Sequence, residues 1–276
     1  MIRIGLVQLN ASDDPTENLS VTESLISQAS ERGATYVFTP EVTNLVCTDR
    51  HLQQEILKTE DEDETLRHLR HLASELNIWL QIGSLALKSE ASAKFVNRSF
   101  LISPKGMIMA RYDKIHLFDV EISDREIYHE SSAYDPGDKA VVTAMGQTQL
   151  GISICYDIRF PHLYRDLASA GAKVISIPGA FSMATGPSQI ETLLKARAIE
   201  TGCFVVMAAQ TGLHKQSNSK PRETWGHSMV ISPWGEKLCD LGKEIGFQIL
   251  DINLDEVSDA RRKIPSLSQN PEYSKP

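Results

Sequence analysis

Short apolar runs alternate with helical patterns along the whole chain, and this alternation limits the fold more than any other feature of the sequence. An apolar run at residues 2–9 precedes a helical pattern that stops at Gly33, and a second apolar run follows at residues 36–39. Further strands are predicted at residues 79–87, 99–102, 148–154, 174–177 and 203–208, with helices at 65–76, 162–170 and 189–201. Helices that alternate with buried strands predict an α/β layered fold.

The tetrapeptide Ser-Pro-x-Gly occurs between predicted strands in each half of the chain, at residues 103–106 and 232–235. Proline followed by glycine in such a place is typical of a hairpin connection. We therefore expect two similar halves packed as one sandwich. No Gly/Ser-rich linker separates them, so residues 1–276 are predicted to form a single domain with a polar C-terminal tail at 265–276. The segment 123–135 is predicted to be a loop, and 58–64 and 214–223 to be solvated surface.

The composition argues against several classes of function. The formal net charge of the 276 residues is −8 with both signs interspersed, so no basic face for nucleic acid is expected. No apolar run approaches the ~20 residues that span a bilayer, and the N-terminal run becomes polar too early for a signal peptide. These features predict a cytoplasmic protein that binds neither nucleic acid nor membranes.

No metal or cofactor is predicted. The four cysteines are scattered without a Cys-x-x-Cys pair, which argues against disulfides and against a zinc site. Glu64, His68 and His71 share one helical face, but they lack the zincin spacing and are typical of a solvated face. Gly242-Lys243 lacks the preceding glycine of a phosphate-binding loop.

Cys155 is the position that first suggests chemistry. It follows the apolar run 150–154 and precedes a loop, and ligands in α/β folds bind where strands end. A thiol that attacks an amide there needs a base, a donor for the developing oxyanion and a proton for the leaving amine. Without such helpers, the alternative is a cysteine that acts only as a small buried hydrophobic residue.

Two sets of helpers are available in the sequence. His116, His162 and His227 are candidate bases, and His162 is the nearest of them to the cysteine along the chain. Glu41 and Lys114 each follow a strand-like run, where a charged side chain is difficult to explain as surface. For either of these two alone, a structural ion pair is the alternative.

Five segments, taken in order, resemble motifs of the nitrilase superfamily of carbon–nitrogen hydrolases, and the resemblance covers nearly the whole chain. The segments are 39–41 (TPE), 113–119 (DKIHLFD), 154–161 (ICYDIRFP), 196–200 (ARAIE) and 225–229 (WGHSM). The resemblance implies a four-layer α-β-β-α sandwich of two similar halves. It also implies that Glu41 is the general base and acid, Lys114 the oxyanion stabiliser and Cys155 the nucleophile. Glu130 would support Lys114.

Segments near the C-terminal half also suggest a substrate class. Residues 208–212 and 225–234, together with 185–186, resemble the branch that hydrolyses deaminated glutathione. A small-molecule amide of a 2-oxo acid is therefore the predicted substrate. Gln189-Ile190 stand where the family often has His-Trp and are expected to alter the rim of the pocket. The resemblance further implies a homodimer. The apolar face of the helix after residue 160 is either one surface of that contact or packed against the chain's own core.

Tyr156, Arg159 and Phe181 are the predicted substrate contacts, and the backbone N–H of Tyr156 is a second candidate donor to the oxyanion. Arg159 and Arg197 are candidates to pair with a substrate carboxylate, with a structural role as the alternative. An ω-amidase, an N-carbamoyl amidase and a nitrilase would share the same nucleophile. An inactive binding or scaffold protein and a thiol peroxidase are alternatives of other classes.

Overall fold

Two six-stranded mixed sheets lie face to face at the centre of the molecule. The computed structural model describes residues 1–123, 126–217, 222–269, 271 and 274. The first sheet contains β1 (Ile2–Gln8), β2 (Tyr36–Phe38), β3 (Trp79–Lys88), β4 (Phe95–Ile102), β5 (Ile108–Asp113) and β16 (Gly246–Ile252). The second contains β8 (Val141–Met145), β9 (Thr148–Ile152), β10 (Val174–Ser176), β11 (Phe204–Met207), β14 (Met229–Ile231) and β15 (Lys237–Asp240). Two further antiparallel pairs are β6 (Asp119–Ser123) with β7 (Glu126–His129) and β12 (Thr211–His214) with β13 (Arg222–Trp225).

The two sheets repeat one topology, which confirms the predicted similarity of the two halves. The first has the order β16-β1-β2-β3-β4-β5 and the second, read from its other edge, β8-β9-β10-β11-β14-β15. In each, three central strands are parallel, and antiparallel strands flank them on both sides. The final hairpin of each sheet closes through the Ser-Pro-x-Gly turn. Gly106 and Gly235 have φ of +70° and +80°, a conformation that favours glycine.

Helices cover the outer faces of both sheets and complete the α-β-β-α order. The helices are α1 (Pro15–Glu31), α2 (Arg50–Ile56), α3 (Glu64–Glu75), α4 (Pro161–Ser169), α5 (Glu191–Thr201) and α6 (Asp255–Lys263). On the first sheet, Ile26 of α1 and Leu69 of α3 pack in one cluster with Leu80 and Ile82 of β3. Leu163 and Leu167 of α4 join the core of the second sheet. Apolar stripes therefore hold the helices against the sheets.

Local signals in the sequence fix several helix ends. Asp14 caps α1 by accepting from the backbone N–H groups of Thr16 and Glu17, and Asp63 caps α3 by accepting from Leu66. Gly202 ends α5 in the left-handed conformation, with φ of +63°. Among the described residues, no helix is long and apolar enough to cross a membrane.

Several sequence predictions need correction. Residues 123–135 are not a loop, because β7 and a 3-10 turn at Glu130–Ser132 occupy most of the part that is described. The segment 214–223 is not wholly solvated, because His214 is fully buried; residues 218–221 lie outside the described residues. Leu163 and Leu167 face the chain's own core, so this side of α4 is not free for a dimer contact.

The start of the C-terminal tail is held against the body of the chain. Arg165 of α4 donates to the carbonyl oxygens of Ser266 and Leu267, at 3.4 and 3.0 Å. Leu267 packs against the main core as a partly buried side chain. Residues 270, 272–273 and 275–276, which belong to the predicted tail, lie outside the described residues.

Candidate active site

A cavity of about 650 Å³ lies between the two halves of the chain, beside residues that follow β2, β5, β9 and β10. The first half contributes Glu41, Lys114 and Glu130 to its wall, and the second contributes Cys155, Ala180 and Phe181. The sequence motifs for the glutamate, the lysine and the cysteine are distant along the chain. The fold brings them to one place because each lies just beyond the end of a central or edge strand.

Glu41 is buried, with 5% of its surface exposed, and three hydrogen bonds hold its carboxylate in one orientation. Oε1 accepts from Lys114 Nζ at 3.0 Å and from Asn97 Nδ2 at 3.0 Å, and Oε2 accepts from the backbone N–H of Ala180 at 2.9 Å. The next residue, Val42, has φ of +47°, a strained value for a β-branched side chain. Strain held beside a buried carboxylate is typical of a functional position.

Lys114 lies between two carboxylates. Besides its bond to Glu41, Nζ donates to both oxygens of Glu130, at 3.2 and 2.9 Å. Glu130 is fixed in turn by the backbone N–H of Phe118, which donates to Oε2 at 2.6 Å. The strand pair β6–β7 leads directly into the turn that carries Glu130. The structure therefore places the carboxylate of Glu130 against Lys114.

Cys155 begins a 3-10 turn, Cys155–Arg159, directly after β9 and has φ of +48°. Its backbone N–H donates to the carbonyl oxygen of Pro178 at 2.8 Å. Its thiol lines the same cavity as Glu41, Lys114 and Ala180, and all three affect the pKa of the thiol. A residue other than glycine rarely adopts this backbone conformation. The side chain of Cys155 lines the cavity.

A second buried carboxylate holds the turn that carries the nucleophile. Asp157 is fully buried, and Oδ2 accepts from the hydroxyl of Tyr112 at 2.6 Å and from the N–H of Ile154 at 2.8 Å. Oδ1 accepts from the backbone N–H of His116 at 3.1 Å and contacts its ring Nδ1 at 2.7 Å. Tyr112 and His116 flank Lys114 in sequence. Asp157 therefore ties the lysine segment to the cysteine turn.

The charges of the site determine where the proton of the thiol resides. Burial opposes ionisation of Glu41, but Lys114 and the hydrogen bonds from Cys155 and Lys114 outweigh it and hold the pKa of the carboxyl below its usual range. Burial alone would lower the pKa of Lys114, but the carboxylates of Glu130 and Glu41 raise it well above the usual value. Burial, and then the charge of Glu41, raise the pKa of the Cys155 thiol well above its usual value. The site therefore holds a thiol beside a carboxylate and an ammonium.

The three predicted substrate contacts all line the cavity: Tyr156, Arg159 and Phe181. Arg197 does not line it; its side chain is buried, donates to the carbonyl oxygen of Ile158 at 2.8 Å and pairs with Glu200, so its role is structural. Gln189 and Ile190 are also absent from the lining residues, and Ile190 is fully buried. This pair therefore does not form part of the pocket rim, and any effect it has on the rim must act through neighbouring residues.

The candidate histidine bases have other partners. His116 is held by Asp157 and stacks on Phe160, with 3.6 Å between ring centroids. His162 packs edge-on against the same two rings. His227 pairs with Asp240 at 2.9 Å. The group that raises the pKa of the thiol by its charge is instead Glu41. In the part of the chain that the structure describes, no three His, Cys, Asp or Glu side chains are placed to hold a metal ion.

Sequence reasoning missed four residues of this site: Asn97, Asp157, Ala180 and Arg222. Asn97 lies on β4, and a polar amide between apolar residues 95–96 and 100–102, in a strand where it is buried, is the signal that would have indicated it. Asp157 was present in the cysteine motif without a role. Ala180 acts through its backbone, which leaves no trace in the sequence. Arg222 is placed by the pairing of β13 with β12, at the end of a polar stretch.

The sequence matches the carbon-nitrogen hydrolase family over residues 3–262. The chain belongs to this family. A deaminated glutathione amidase of Synechocystis is 38% identical over 264 residues, which cover 95% of each chain. Among solved structures, the NitFhit protein of Caenorhabditis elegans has a TM-score of 0.90 at 34% identity, over 98% of this chain and 65% of that one. A variant amidase of Nesterenkonia, with acrylamide added to its active-site cysteine, has a TM-score of 0.78 at 27% identity, over 96% of this chain and 98% of that one.

These matches confirm both the superfamily and the sandwich fold expected from the sequence motifs. The chain is a carbon–nitrogen hydrolase, and the match extends across both halves of the molecule. The strand order, the helices on both outer faces and the solved relatives agree on one architecture.

Proposed function

We propose that the chain hydrolyses a small-molecule amide through a thioester on Cys155, and that the amide is deaminated glutathione or a related ω-amide of a 2-oxo acid. One observation carries the proposal: the buried thiol of Cys155 lines the same cavity as Glu41, whose carboxylate raises the pKa of the thiol and accepts from the ammonium of Lys114 at 3.0 Å. Nucleophile, base and cation therefore share one cavity.

The first half of the reaction forms the thioester. As Sγ of Cys155 attacks the amide carbon, its proton passes to Glu41, and the carbonyl π electrons move to the oxygen. Lys114 and the backbone N–H of Tyr156 stabilise the oxyanion of this tetrahedral intermediate. Glu41 then gives the proton to the amide nitrogen, the C–N bond breaks, and the amine leaves.

The second half releases the acid. Glu41 takes a proton from water as the water oxygen attacks the thioester carbon, and the oxyanion again faces Lys114. The C–S bond then breaks, and the proton on Glu41 returns to the sulfur. One water is consumed, and one acid and one amine are formed. Glu130 keeps Lys114 charged and in place throughout, because a buried ammonium without carboxylates would tend to lose its proton.

The named relatives support both parts of the proposal. The Nesterenkonia amidase carries acrylamide on its active-site cysteine, which supports the assignment of Cys155 as the nucleophile. The substrate assignment rests on the deaminated glutathione amidases, of which the Synechocystis and human proteins are 38% and 34% identical to this chain. The cavity of about 650 Å³ has room for a substrate of that size.

A substrate panel with a matched variant tests the proposal. Wild type and Cys155→Ala are assayed on deaminated glutathione, short ω-amides of dicarboxylic acids, an N-carbamoyl amino acid and a nitrile, with acid and amine or ammonia as products. We expect deaminated glutathione to be the best substrate, and Cys155→Ala to lose about 10⁶ in kcat, as for removal of other enzymic nucleophiles. Activity that persists in Cys155→Ala contradicts the mechanism.

The other outcomes separate the rival functions. Turnover of only the nitrile or only the carbamoyl compound would support the same catalytic residues with a different substrate class. No turnover on any compound favours a binding or scaffold protein. A homodimer and a cytoplasmic location are further parts of the proposal; sedimentation at several concentrations tests the first, and fractionation of cells tests the second.

A further inference from the structure

Three arginines line the cavity without a carboxylate partner. Arg50, Arg159 and Arg222 all contribute to the wall, and none forms an ion pair with a described residue. Arg50 donates to Gln53 at 3.2 Å and lies over the ring of Tyr134. The cation of Lys114, in contrast, is bound by two carboxylates. Guanidinium groups left without a counterion in a substrate cavity are suited to bind an anion.

Arg222 is the arginine that the hydrogen bonds connect most directly to Glu41. Its Nη2 donates to the carbonyl oxygen of Ala180 at 2.8 Å, and the N–H of Ala180 donates to Oε2 of Glu41 at 2.9 Å. Its charge also acts on the carboxyl of Glu41. Lys114 contacts the other oxygen of that carboxylate, Oε1. Lys114 therefore contacts one carboxylate oxygen of Glu41, and Arg222 contacts Ala180, the residue that donates to the other oxygen.

This placement relates Arg222 to one half of the substrate. In the proposed reaction, Glu41 gives a proton to the leaving nitrogen, so the amine half of the amide must lie beside the Glu41 carboxylate. The carbonyl oxygen faces Lys114. A group on the amine half is consequently the part of the substrate that lies nearest to the Ala180–Arg222 side of the cavity.

The neighbouring acidic groups leave Arg222 available. Glu126 and Glu223 also line the cavity, but neither forms an ion pair with Arg222. Glu223 is exposed, and it follows Arg222 on β13, where successive side chains point to opposite faces. Arg222 is half-buried, so solvent screens it less than a surface arginine.

We propose that Arg222 binds a carboxylate carried by the amine half of the substrate, so that the enzyme is specific for amides whose leaving group is an amino acid or a short peptide rather than ammonia. The inference rests on the proposed function and deepens it. Deaminated glutathione, in which a dipeptide leaves, has this chemistry. A primary ω-amide, which releases only ammonia, does not.

The experiment compares two amides that differ only in this charge. Both have the same 2-oxo diacid on the acyl side and the same dipeptide as leaving group, ending in a free carboxylate in one and in a carboxamide in the other. The ratio of kcat/KM for the two is measured for wild type, Arg222→Gln, Arg222→Lys and the control Arg67→Gln, an exposed arginine on α3. A general disturbance of the site slows both amides and cancels in the ratio.

We expect wild type and Arg67→Gln to favour the carboxylate by about tenfold to hundredfold, the range for a charge-assisted hydrogen bond. Arg222→Gln should bring the ratio close to one, and Arg222→Lys should restore part of it because the positive charge remains. A wild-type ratio close to one, or a ratio that Arg222→Gln leaves unchanged, overturns the proposal.

Binding to Cys155→Ala, measured by calorimetry with the same two amides, separates this inference from the proposed function. The carboxylate should bind more tightly than the carboxamide to Cys155→Ala, and equally to Cys155→Ala with Arg222→Gln. Equal affinities in the single variant overturn the assignment of Arg222. Absence of wild-type turnover combined with a preserved binding preference contradicts the hydrolysis and retains the carboxylate site.

Discussion

The floor of the cavity and its rim are built in different ways. The cavity floor consists of Glu41, Lys114, Glu130 and Cys155, whose charges and hydrogen bonds are satisfied within the protein. The cavity rim consists of Arg50, Arg159 and Arg222, which are half-buried or exposed and have no carboxylate partner among the described residues. The floor therefore suits a fixed reaction, and the rim suits the recognition of a varying group.

The difference also appears in the backbone. Glu41, Lys114 and Cys155 of the floor follow strands of the central sheets, and Val42 and Cys155 hold positive φ values that only a well-packed surrounding can maintain. Arg50 begins a short helix, and Arg222 begins β13 of a separate strand pair. Substitutions in the floor should consequently affect all substrates, whereas substitutions in the rim should affect some substrates more than others.

Among variants that keep the nucleophile, the largest effect is expected for Glu41→Gln, which removes the base and keeps the shape. We expect kcat to fall by about 10²–10⁴, since a glutamine cannot take the thiol proton. The pKa of the Cys155 thiol should fall as well, because the charge of Glu41 raises it while Lys114 lowers it. The rate of alkylation by iodoacetamide as a function of pH measures that pKa.

Glu126→Gln is the matched control for this prediction, because Glu126 lines the cavity without a hydrogen bond to Lys114 or Cys155 in the described structure. Its alkylation profile should match that of wild type. A Glu41→Gln profile that also matches wild type would show that the carboxylate does not control the thiol.

A smaller effect is expected for Asp157→Asn, a positioning residue beneath the floor. The amide nitrogen would face donors that now point at a carboxylate oxygen, so we expect a loss of about 1–3 kcal/mol in the free energy of unfolding. Displacement of the cysteine turn should lower kcat by about tenfold to hundredfold with little change in KM. Tyr112→Phe, which removes only one donor, should give a smaller change in both quantities.

Steady-state kinetics for two amides and chemical denaturation measure these effects. Because Asp157 holds the floor, both amides should slow by the same factor. A substrate-dependent loss would mean that Asp157 also shapes the rim, and unchanged kcat would mean that the turn keeps its geometry without the carboxylate.

The floor could be predicted from the sequence, whereas Arg159 was the one rim residue predicted, for a physical reason. Glu41, Lys114 and Cys155 each lie just beyond the end of a strand, so local pattern and motif order place them at one edge of the sheets. Arg222 depends on the pairing of β12 with β13, and Ala180 contributes only a backbone N–H. Long-range pairing and backbone donors are not encoded in a local pattern, and for the same reason the burial of His214 was missed.

The smallest effect on activity at neutral pH concerns His214, which ties the strand pair that carries Arg222 to the rest of the chain. Its ring contacts the carbonyl oxygen of Ala11 at 2.7 Å and the hydroxyl of Thr224 at 2.7 Å. Burial is the main reason that its pKa falls to about 4, and the charge of Arg222 lowers it further. The unfolded chain therefore binds a proton before the folded chain does as the pH falls. This contribution to stability is complete above about pH 6.5 and is lost towards about pH 4, with a limit of about 3 kcal/mol.

The variant His214→Gln can keep both hydrogen bonds without titrating, so it isolates the contribution of the histidine's protonation to the free energy of unfolding. Asp63 changes the stability with pH in the opposite direction, since burial raises its pKa to about 6. The test is therefore the difference in free energy of unfolding between variant and wild type at each pH. That difference should change by up to about 3 kcal/mol between about pH 6.5 and about pH 4. Amide exchange at residues 211–214 and 222–225 should rise on acidification in wild type before it rises at the floor. Equal slopes in the two proteins would mean that His214 does not make the rim more sensitive to acid than the floor.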